Sequence, residues 1–358
     1  MAVIVYIYIY IQIHTHTHIY IYIYIYMYDN YKKSEMLLLK FGAHFSTNMA
    51  LGSRCTSLPR FFSSLAPKIS ASAAVPPSTV LINGERVIGS KAKISVWDTT
   101  VQRGDGMFEV VRVCKDGSPL ALDLHLQRLY DGAKALDYTI PATMNALSSW
   151  ICEVAMEGGE GMVRVLLTRG ALGGSGNHLP NFIIEEHAPP TVVVMWQPLP
   201  VWPSSMRLFP MAAWWHPAGS WQTVKWLSYG PNMMMSRTAM KAGYDDALLT
   251  STEGVVLDGP TFAVGWFHNG VLHTPSSVGL GLLPSCTLEL ALSCANELGM
   301  KVNKGVFQLR EMASADEVFV TSATKDVLPV SALGKRSFQA PGPMTLALAN
   351  HFNKKFLN

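Results

Sequence analysis

Apolar residues along the chain follow two periods, and each period predicts one type of element. Residues 80–82 and 86–88 are short apolar runs on either side of Asn83-Gly84, a dipeptide that favours the two-residue turn of a β-hairpin. Other short apolar runs, bounded by turn residues, predict strands at residues 163–167 and 191–196 and a second hairpin around residues 253–254.

Helical spacing of apolar residues predicts five helices. Gly159, Gly243 and Gly299 follow three of them, at the position where glycine commonly ends a helix. Strands and helices are mixed without the strand–helix–strand rhythm of a doubly wound sheet, so the predicted fold class is α+β. The predicted helices occupy residues 123–136, 144–156, 232–242, 286–298 and 344–356.

Length and charge narrow the class of protein. A chain of 358 residues with 49% hydrophobic residues is long enough for two domains with buried cores. The net charge is only +3, and no arginine–lysine cluster interleaves with aromatic residues, so no nucleic-acid partner is predicted. The five cysteines have no paired spacing, which predicts neither a disulfide framework nor a metal site.

Residues 1–28 alternate isoleucine and tyrosine, with a His-Thr run at residues 14–18. A translated dinucleotide repeat gives this pattern, because ATA-TAT encodes Ile-Tyr and CAC-ACA encodes His-Thr. We therefore expect these low-complexity residues to be an untranslated repeat that a misplaced start codon includes in the sequence. Its histidines, its tyrosines and Gln12 suit a membrane span poorly, so no membrane partner is predicted. An N-terminal peptide from intact cells that starts before Met27 would contradict the start-codon expectation.

Residues 29–79 are predicted to be a disordered organelle presequence. No acidic residue occurs from residue 37 to residue 84, while basic residues lie among many serines and alanines. Arg54 and Arg60 bracket an apolar run, which favours the mitochondrion. The plastid, the cytoplasm and a tail without a targeting role remain the alternatives.

A proline-rich break at residues 198–203 predicts a linker between two domains. The predicted organisation is a small N-terminal domain at residues 80–198, a linker at residues 199–204 and a larger C-terminal domain at residues 205–358.

Lys225 is the most informative single residue. It lies between the apolar residues Val224 and Trp226, with a hydroxyl at Tyr229 and a carboxylate at Asp258 further along the chain. Desolvation among apolar side chains lowers the pKa of a lysine and leaves an amine that can attack a carbonyl. The alternative is a lysine at a strand edge with its amine in water.

Six motifs in a fixed order resemble those of the class IV aminotransferases, a family that contains branched-chain aminotransferases, D-amino-acid aminotransferases and aminodeoxychorismate lyases. The resemblance covers roughly residues 80–352. The motifs are residues 94–98 with 104–112, then 125–129, 164–170, 225–275, 281–287 and 315–322.

The resemblance implies the two-domain architecture of fold type IV, with a small N-terminal α/β domain, a larger C-terminal α+β domain and pyridoxal 5'-phosphate between them. It also implies a homodimer. Lys225 matches the lysine that forms the aldimine with the cofactor and moves a proton during the reaction.

The remaining cofactor-binding positions follow from the same resemblance. Asp258 stands where the family has glutamate opposite the pyridine nitrogen, and an Asp-Gly turn is the alternative. Ala323 stands where the family has threonine in the second phosphate loop. Tyr229 matches a contact to the cofactor's phenolic oxygen, with core packing as the alternative. The predicted phosphate-binding residues are Arg128, Ser285, Cys286, Thr287, Ser322 and Ala323, of which Ser285 is alternatively a plain helix cap and Arg128 a solvated helix residue.

Two residues are predicted to contact the substrate. Phe108 matches an aromatic wall, and Arg164 matches an arginine near the substrate that can pair with a carboxylate. The predicted function is transfer of an amino group from an amino acid to a 2-oxo acid, branched-chain-aminotransferase-like, with Lys225 as the catalytic residue. Aminodeoxychorismate lyase and a cofactor-binding pseudoenzyme are the alternatives, the latter because Asp258, Ala263 and Ala323 depart from the family pattern.

Overall fold

The computed structural model describes residues 4–15, 18–28, 35–44, 79–171, 189–213 and 223–357. It divides into two compact units, residues 1–70 and residues 71–358.

The first unit contains a three-stranded antiparallel sheet of β1 (Ile4–Thr15), β2 (His18–Tyr28) and β3 (Glu35–His44). The period of two in the Ile-Tyr repeat is the period of a strand. Strand β3 corrects the prediction of disorder at that point, because its apolar run pairs with β2 along its whole length. The rest of residues 29–78 lies outside the described residues. The start codon, the presequence and the organelle therefore stay predictions.

The second unit begins with a five-stranded antiparallel sheet in the order β5-β4-β8-β7-β6. The predicted Asn83-Gly84 turn is confirmed, since both residues have positive φ angles, 51° and 83°. The predicted strands at residues 163–167 and 191–196 are also confirmed. The five strands are β4 (Thr79–Ile82), β5 (Glu85–Ile88), β6 (Gly106–Val113), β7 (Gly161–Thr168) and β8 (Val192–Gln197).

Helices α2 and α3 cover this sheet, α2 against β6 and α3 against β8. Leu126 and Leu129 of α2 pack with Leu147 and Ile151 of α3 in one buried apolar cluster, which the helical spacing of these leucines predicts. The helices of this part are a short 3₁₀ helix (Gly89–Lys91), α1 (Thr99–Arg103), α2 (Leu122–Ala135) and α3 (Met144–Gly158).

A second, eight-stranded sheet follows in the order β10-β9-β15-β14-β11-β12-β13, with β16 paired to β15. It is mixed, because β9 pairs in parallel with β10 and β15 while β14 pairs antiparallel with β11 and β15. The strands are β9 (Met206–Ala212), β10 (Asp246–Thr250), β11 (Ala263–His268), β12 (Val271–Pro275), β13 (Lys301–Gly305), β14 (Glu317–Ser322), β15 (Asp326–Leu333) and β16 (Arg336–Ser337).

Four helices belong to this second part, and two of them, α5 and α7, pack on β14. All five helices predicted from the sequence are confirmed, each with ends within two residues of the prediction. The four helices are α4 (Gly230–Lys241), α5 (Cys286–Glu297), α6 (Leu309–Met312) and α7 (Pro343–Phe356).

The α+β class is confirmed by the two separate sheets and the helices that cover them. The predicted linker lies in sequence between the last strand of the first sheet, β8, and the first strand of the second, β9. The division into two domains there stays a prediction. None of the helices in the described ranges combines the length and the apolar run that crossing a bilayer requires.

Candidate active site

A cavity of about 690 Å³ brings together every site residue that the sequence predicts, from both sheets and from α2 and α5. This volume lies within the range of pockets that hold a small molecule or cofactor. The predicted residues in its wall are Phe108, Arg128, Arg164, Lys225, Tyr229, Asp258, Ser285, Cys286, Thr287, Ser322 and Ala323.

Lys225 is held in the cavity by backbone pairing with β6. The N–H of Phe108 donates to the Lys225 carbonyl at 2.9 Å, and the N–H of Leu227 donates to the Gly106 carbonyl at 2.8 Å. The Lys225 side chain is half-buried, and its Nζ lies 4.3 Å from the centre of the Phe108 ring and 5.6 Å from that of Tyr229. The apolar surroundings that the sequence predicts are therefore present.

This environment lowers the pKa of Lys225 to about 8. Burial is the largest cause, because it disfavours the charged amine. Glu109 and Asp258 oppose the shift, whereas the positive charges of Arg128 and Arg164 add to it. A substantial fraction of this amine is consequently uncharged, and so nucleophilic, slightly above neutral pH.

Three short hydrogen bonds fix Arg128. Its Nε and Nη2 each donate to the Glu109 carboxylate at 2.7 Å, and its Nη1 donates to the Pro284 carbonyl at 2.6 Å. The side chain is 13% exposed, so Arg128 is not a solvated surface arginine. A guanidinium carries more N–H groups than these three bonds use, and those remain for an anion in the cavity.

Glu109 and His125 are two residues of this cluster for which the sequence motifs predict no role. The Glu109 carboxylate is 2% exposed and lies 2.9 Å from His125 Nδ1. Burial alone would raise the pKa of Glu109, but the contacts with Arg128 and His125 outweigh it and lower the pKa to about 2. A signal existed, because His125 and Arg128 are three residues apart on one face of α2 and Glu109 is a charge inside an apolar strand.

The N-terminus of α5 forms another part of the cavity wall. Ser285 is the N-cap, and its Oγ accepts a hydrogen bond from the N–H of Leu288 at 3.2 Å. Ser285 therefore caps α5, and its role in phosphate binding stays a prediction. Ser285 and the buried residues Cys286 and Thr287 line the cavity together. N–H groups in a first helical turn lack helical partners and mark its positive end, which suits a phosphate dianion.

The turn after β14 adds Ser322 and Ala323. Ser322 Oγ accepts from the N–H of Thr324 at 3.4 Å, and Lys325 N–H donates to the Ser322 carbonyl at 3.1 Å. Thr324, which the sequence analysis missed, lines the cavity next to Ala323 and provides a hydroxyl in this wall.

Asp258 and Tyr229 lie near Lys225. Burial raises the pKa of the Asp258 carboxyl to about 7, with the charge of Lys225 acting in the opposite direction. The Tyr229 hydroxyl donates to the Pro260 carbonyl, and the Tyr229 ring meets Phe108 edge-on at 5.3 Å. Tyr229 also lines the cavity. Its hydroxyl uses its hydrogen on Pro260, and its oxygen can still accept a hydrogen bond from a ligand.

Arg164 lies close to the same aromatic ring. Its Nε donates to Gln197 at 3.1 Å, and its guanidinium is 5.5 Å from the centre of the Phe108 ring. Among residues 79–171, 189–213 and 223–357, no carboxylate forms an ion pair with Arg164. Burial lowers its pKa, as expected of a cation without a counter-charge.

The residues of this cavity fit pyridoxal 5'-phosphate. Lys225 offers an amine of lowered pKa for the aldehyde, and Asp258 offers a carboxyl of raised pKa that the positive charge of a pyridinium nitrogen would ionise. Arg128 has donors left, and the N-terminus of α5 faces the same cavity, so both can hold the phosphate.

Known proteins are similar to this chain in sequence and in fold. Residues 106–333 match the family described as amino-transferase class IV. A putative branched-chain-amino-acid aminotransferase of Methanocaldococcus jannaschii is 30% identical over 262 residues, 70% of this chain and 86% of that protein. A D-alanine aminotransferase of Listeria innocua is 27% identical over 289 residues, 76% of this chain and 94% of that protein. An aminodeoxychorismate lyase of Bacillus subtilis is also among the relatives.

The fold resembles a solved branched-chain amino acid aminotransferase that is complexed with N-(5'-phosphopyridoxyl)-L-glutamate. That structure is 26% identical in sequence, covers 78% of this chain and 94% of its own, and has a TM-score of 0.68. The matched family, the relatives and the similar fold all agree with the sequence motifs and with the residues that line the cavity. The chain therefore belongs to the class IV aminotransferases, enzymes that use pyridoxal 5'-phosphate.

Proposed function

We propose that this class IV aminotransferase is a transaminase of the branched-chain type, which moves the amino group of an amino acid onto a 2-oxo acid. The observation that carries the proposal is the position of Lys225. Its amine of lowered pKa lies in one cavity with a half-buried carboxyl, Asp258, and with the N-terminus of α5.

Bound pyridoxal phosphate supplies an aldehyde and a ring that takes up the electron pair left when the substrate Cα loses its proton. Lys225 would be the residue that holds the aldehyde through its amine, and its side chain would carry the proton that the substrate Cα loses. Asp258 would keep the ring nitrogen protonated, and Arg128 and the first turn of α5 would hold the phosphate.

Three observations support the branched-chain type. Arg164 has no carboxylate partner in the described ranges and lies beside Phe108, where it can pair with a substrate carboxylate. Tyr229 meets the same Phe108 ring edge-on and also lines the cavity. The relative from Methanocaldococcus jannaschii and the solved structure with the phosphopyridoxyl-glutamate ligand are both branched-chain aminotransferases by name.

The proposal is tested by adding a panel of L- and D-amino acids, one at a time, to protein saturated with pyridoxal phosphate, and recording the cofactor's visible absorption. We expect branched-chain L-amino acids to convert the cofactor to its amine form, and 2-oxoglutarate to restore it and yield glutamate. Lys225→Ala is expected to abolish the conversion, whereas Lys241→Ala, at an exposed position of α4, leaves it intact. Absorption that no amino acid changes would contradict the proposal and favour the pseudoenzyme.

Aminodeoxychorismate lyase is the second candidate, favoured by the relative with that activity. The same lysine would then promote elimination of pyruvate. Incubation with aminodeoxychorismate, with pyruvate as the readout, separates the two activities. Pyruvate release without transamination of any amino acid would replace the first proposal with the second.

We extend the proposal to a homodimer, on the resemblance to the family alone. Light scattering of the purified protein at micromolar concentration measures the mass directly. A mass of twice that of one chain is expected, and a monomer that retains full activity would contradict this part of the proposal.

A further inference from the structure

A second lysine, Lys325, lines the same cavity and has no role in the chemistry described above. It follows the turn after β14 and is only 5% exposed. Its Nζ donates to Thr261 Oγ1 at 3.0 Å and lies 3.8 Å from the centre of the Trp202 ring.

Lys325 forms no ion pair with any carboxylate of the described part of the chain. Burial lowers its pKa to about 8, with the negative charge of Asp246 acting in the opposite direction. Burying an ammonium group without a counter-ion is costly, and an anion that enters the cavity would remove that cost. An anion bound beside Lys325 would therefore stabilise its charged form.

Trp202 provides an independent indication. Its indole Nε1 is buried, and no acceptor for it exists among the described residues. An indole N–H can only donate, and such a buried group normally has a partner. Trp202, Thr261 and Lys325 line one cavity, with the Lys325 ammonium over the face of the Trp202 ring. The cavity wall therefore carries two donors that have no anionic acceptor among the described residues.

Different charged groups act on the pKa values of Lys325 and Lys225. The charges that act on Lys225 are those of Glu109, Arg128, Arg164 and Asp258, whereas the charge that acts on Lys325 is that of Asp246. The pKa values of the two lysines therefore respond to different charged groups.

We propose that Lys325, Trp202 and Thr261 form a subsite that binds a second carboxylate of the substrate, the one remote from the reacting carbon. Lys325 supplies the charge, and Trp202 supplies a directed N–H. That the anion belongs to the substrate rests on the proposed transaminase function, whereas the existence of the anion site does not. It makes Lys325 a specificity-determining residue for dicarboxylic substrates.

The test measures binding rather than turnover. Titration calorimetry of protein saturated with pyridoxal phosphate compares glutarate with pentanoate, which has the same chain length and one carboxylate fewer. We expect the wild type to bind glutarate at least about tenfold more tightly, the effect of one charge-assisted contact. Lys325→Met should reduce this preference to below about threefold, whereas Lys335→Met, at an exposed position, should leave it unchanged.

Trp202→Phe is the second variant, since it keeps the aromatic ring beside Lys325 and removes the N–H. It should lower the preference for glutarate at least about threefold, and it keeps the proposal testable if Lys325→Met does not fold. A wild type without preference, or a preference that either folded variant retains in full, would overturn the subsite. Binding that depends on Lys325 in a protein without transaminase activity would instead refute the proposed function and leave the subsite standing.

Discussion

Both carboxylate oxygens of Glu109 accept hydrogen bonds from the guanidinium of Arg128, with N–O distances of 2.7 Å each. The pair joins β6 to α2, and the third bond of Arg128, to the Pro284 carbonyl, reaches the residue just before the cap of α5. Glu109 therefore fixes the arginine that is proposed to hold the phosphate, although it is not itself predicted to touch the cofactor.

Glu109→Gln is expected to destabilise the protein by about 3–5 kcal/mol, because it leaves the buried charge of Arg128 without its counter-charge. Urea denaturation of the cofactor-free protein measures the effect. Glu153→Gln is the matched control, since Glu153 pairs with Arg86 at the surface and its loss is expected to cost less than about 1 kcal/mol. Equal losses in the two variants would contradict a structural role for the buried pair.

Arg128→Ala is expected to weaken pyridoxal phosphate binding about 10–100-fold, the effect of losing a charge-assisted phosphate contact. Turnover at saturating cofactor should change much less. Equilibrium dialysis against the cofactor gives the affinity, and Arg237→Ala, at an exposed position of α4, is the control. Unchanged cofactor affinity in Arg128→Ala would remove Arg128 from the phosphate site.

Ser285→Ala separates capping from cofactor binding. Loss of the bond from Leu288 N–H to Ser285 Oγ should cost about 1 kcal/mol of stability, and the frayed first turn of α5 should also weaken cofactor binding. Thr143→Ala removes the equivalent cap of α3, whose Oγ1 accepts from Ala146 N–H at 3.2 Å. That variant should lose similar stability with unchanged cofactor affinity. Equal cofactor affinity in both variants would argue against a phosphate at α5.

The lowered pKa of Lys225 predicts how its amine reacts as pH rises. Below its pKa the amine is protonated and inert, so competitive acetylation of the cofactor-free protein should reach half its limit near pH 8. A short peptide with a single lysine, with a pKa of about 10.4, is the reference. Mass spectrometry of the peptide that carries Lys225 gives the midpoint. A midpoint equal to that of the reference would contradict the desolvated environment.

The helices of this fold are predicted well because their signals are local. The spacing of apolar residues in α3, α4 and α5 and the glycines after them identify their ends within two residues. Most strands of the eight-stranded sheet were not predicted. Strand β10 is buried at every position, so it shows no alternation, and its partner β9 lies far away in sequence.

The candidate site was predicted through ordered motifs, and each predicted site residue lines the cavity. Cavity residues that lie outside the motifs could not be predicted. Trp202 and Lys325 meet only in the folded chain, so no spacing connects them. The segment at residues 199–204, predicted as a linker, also contributes Pro200 and Trp202 to the cavity wall, a role that a proline-rich composition does not reveal.

The central claim is that Lys225 is the lysine that bonds to the cofactor. The direct measurement is borohydride reduction of protein saturated with pyridoxal phosphate, followed by peptide mass spectrometry. The account predicts a reduced cofactor adduct on the peptide that carries Lys225 and none on the peptide that carries Lys325, the other cavity lysine of lowered pKa. An adduct on Lys325, or an unmodified Lys225, would contradict it.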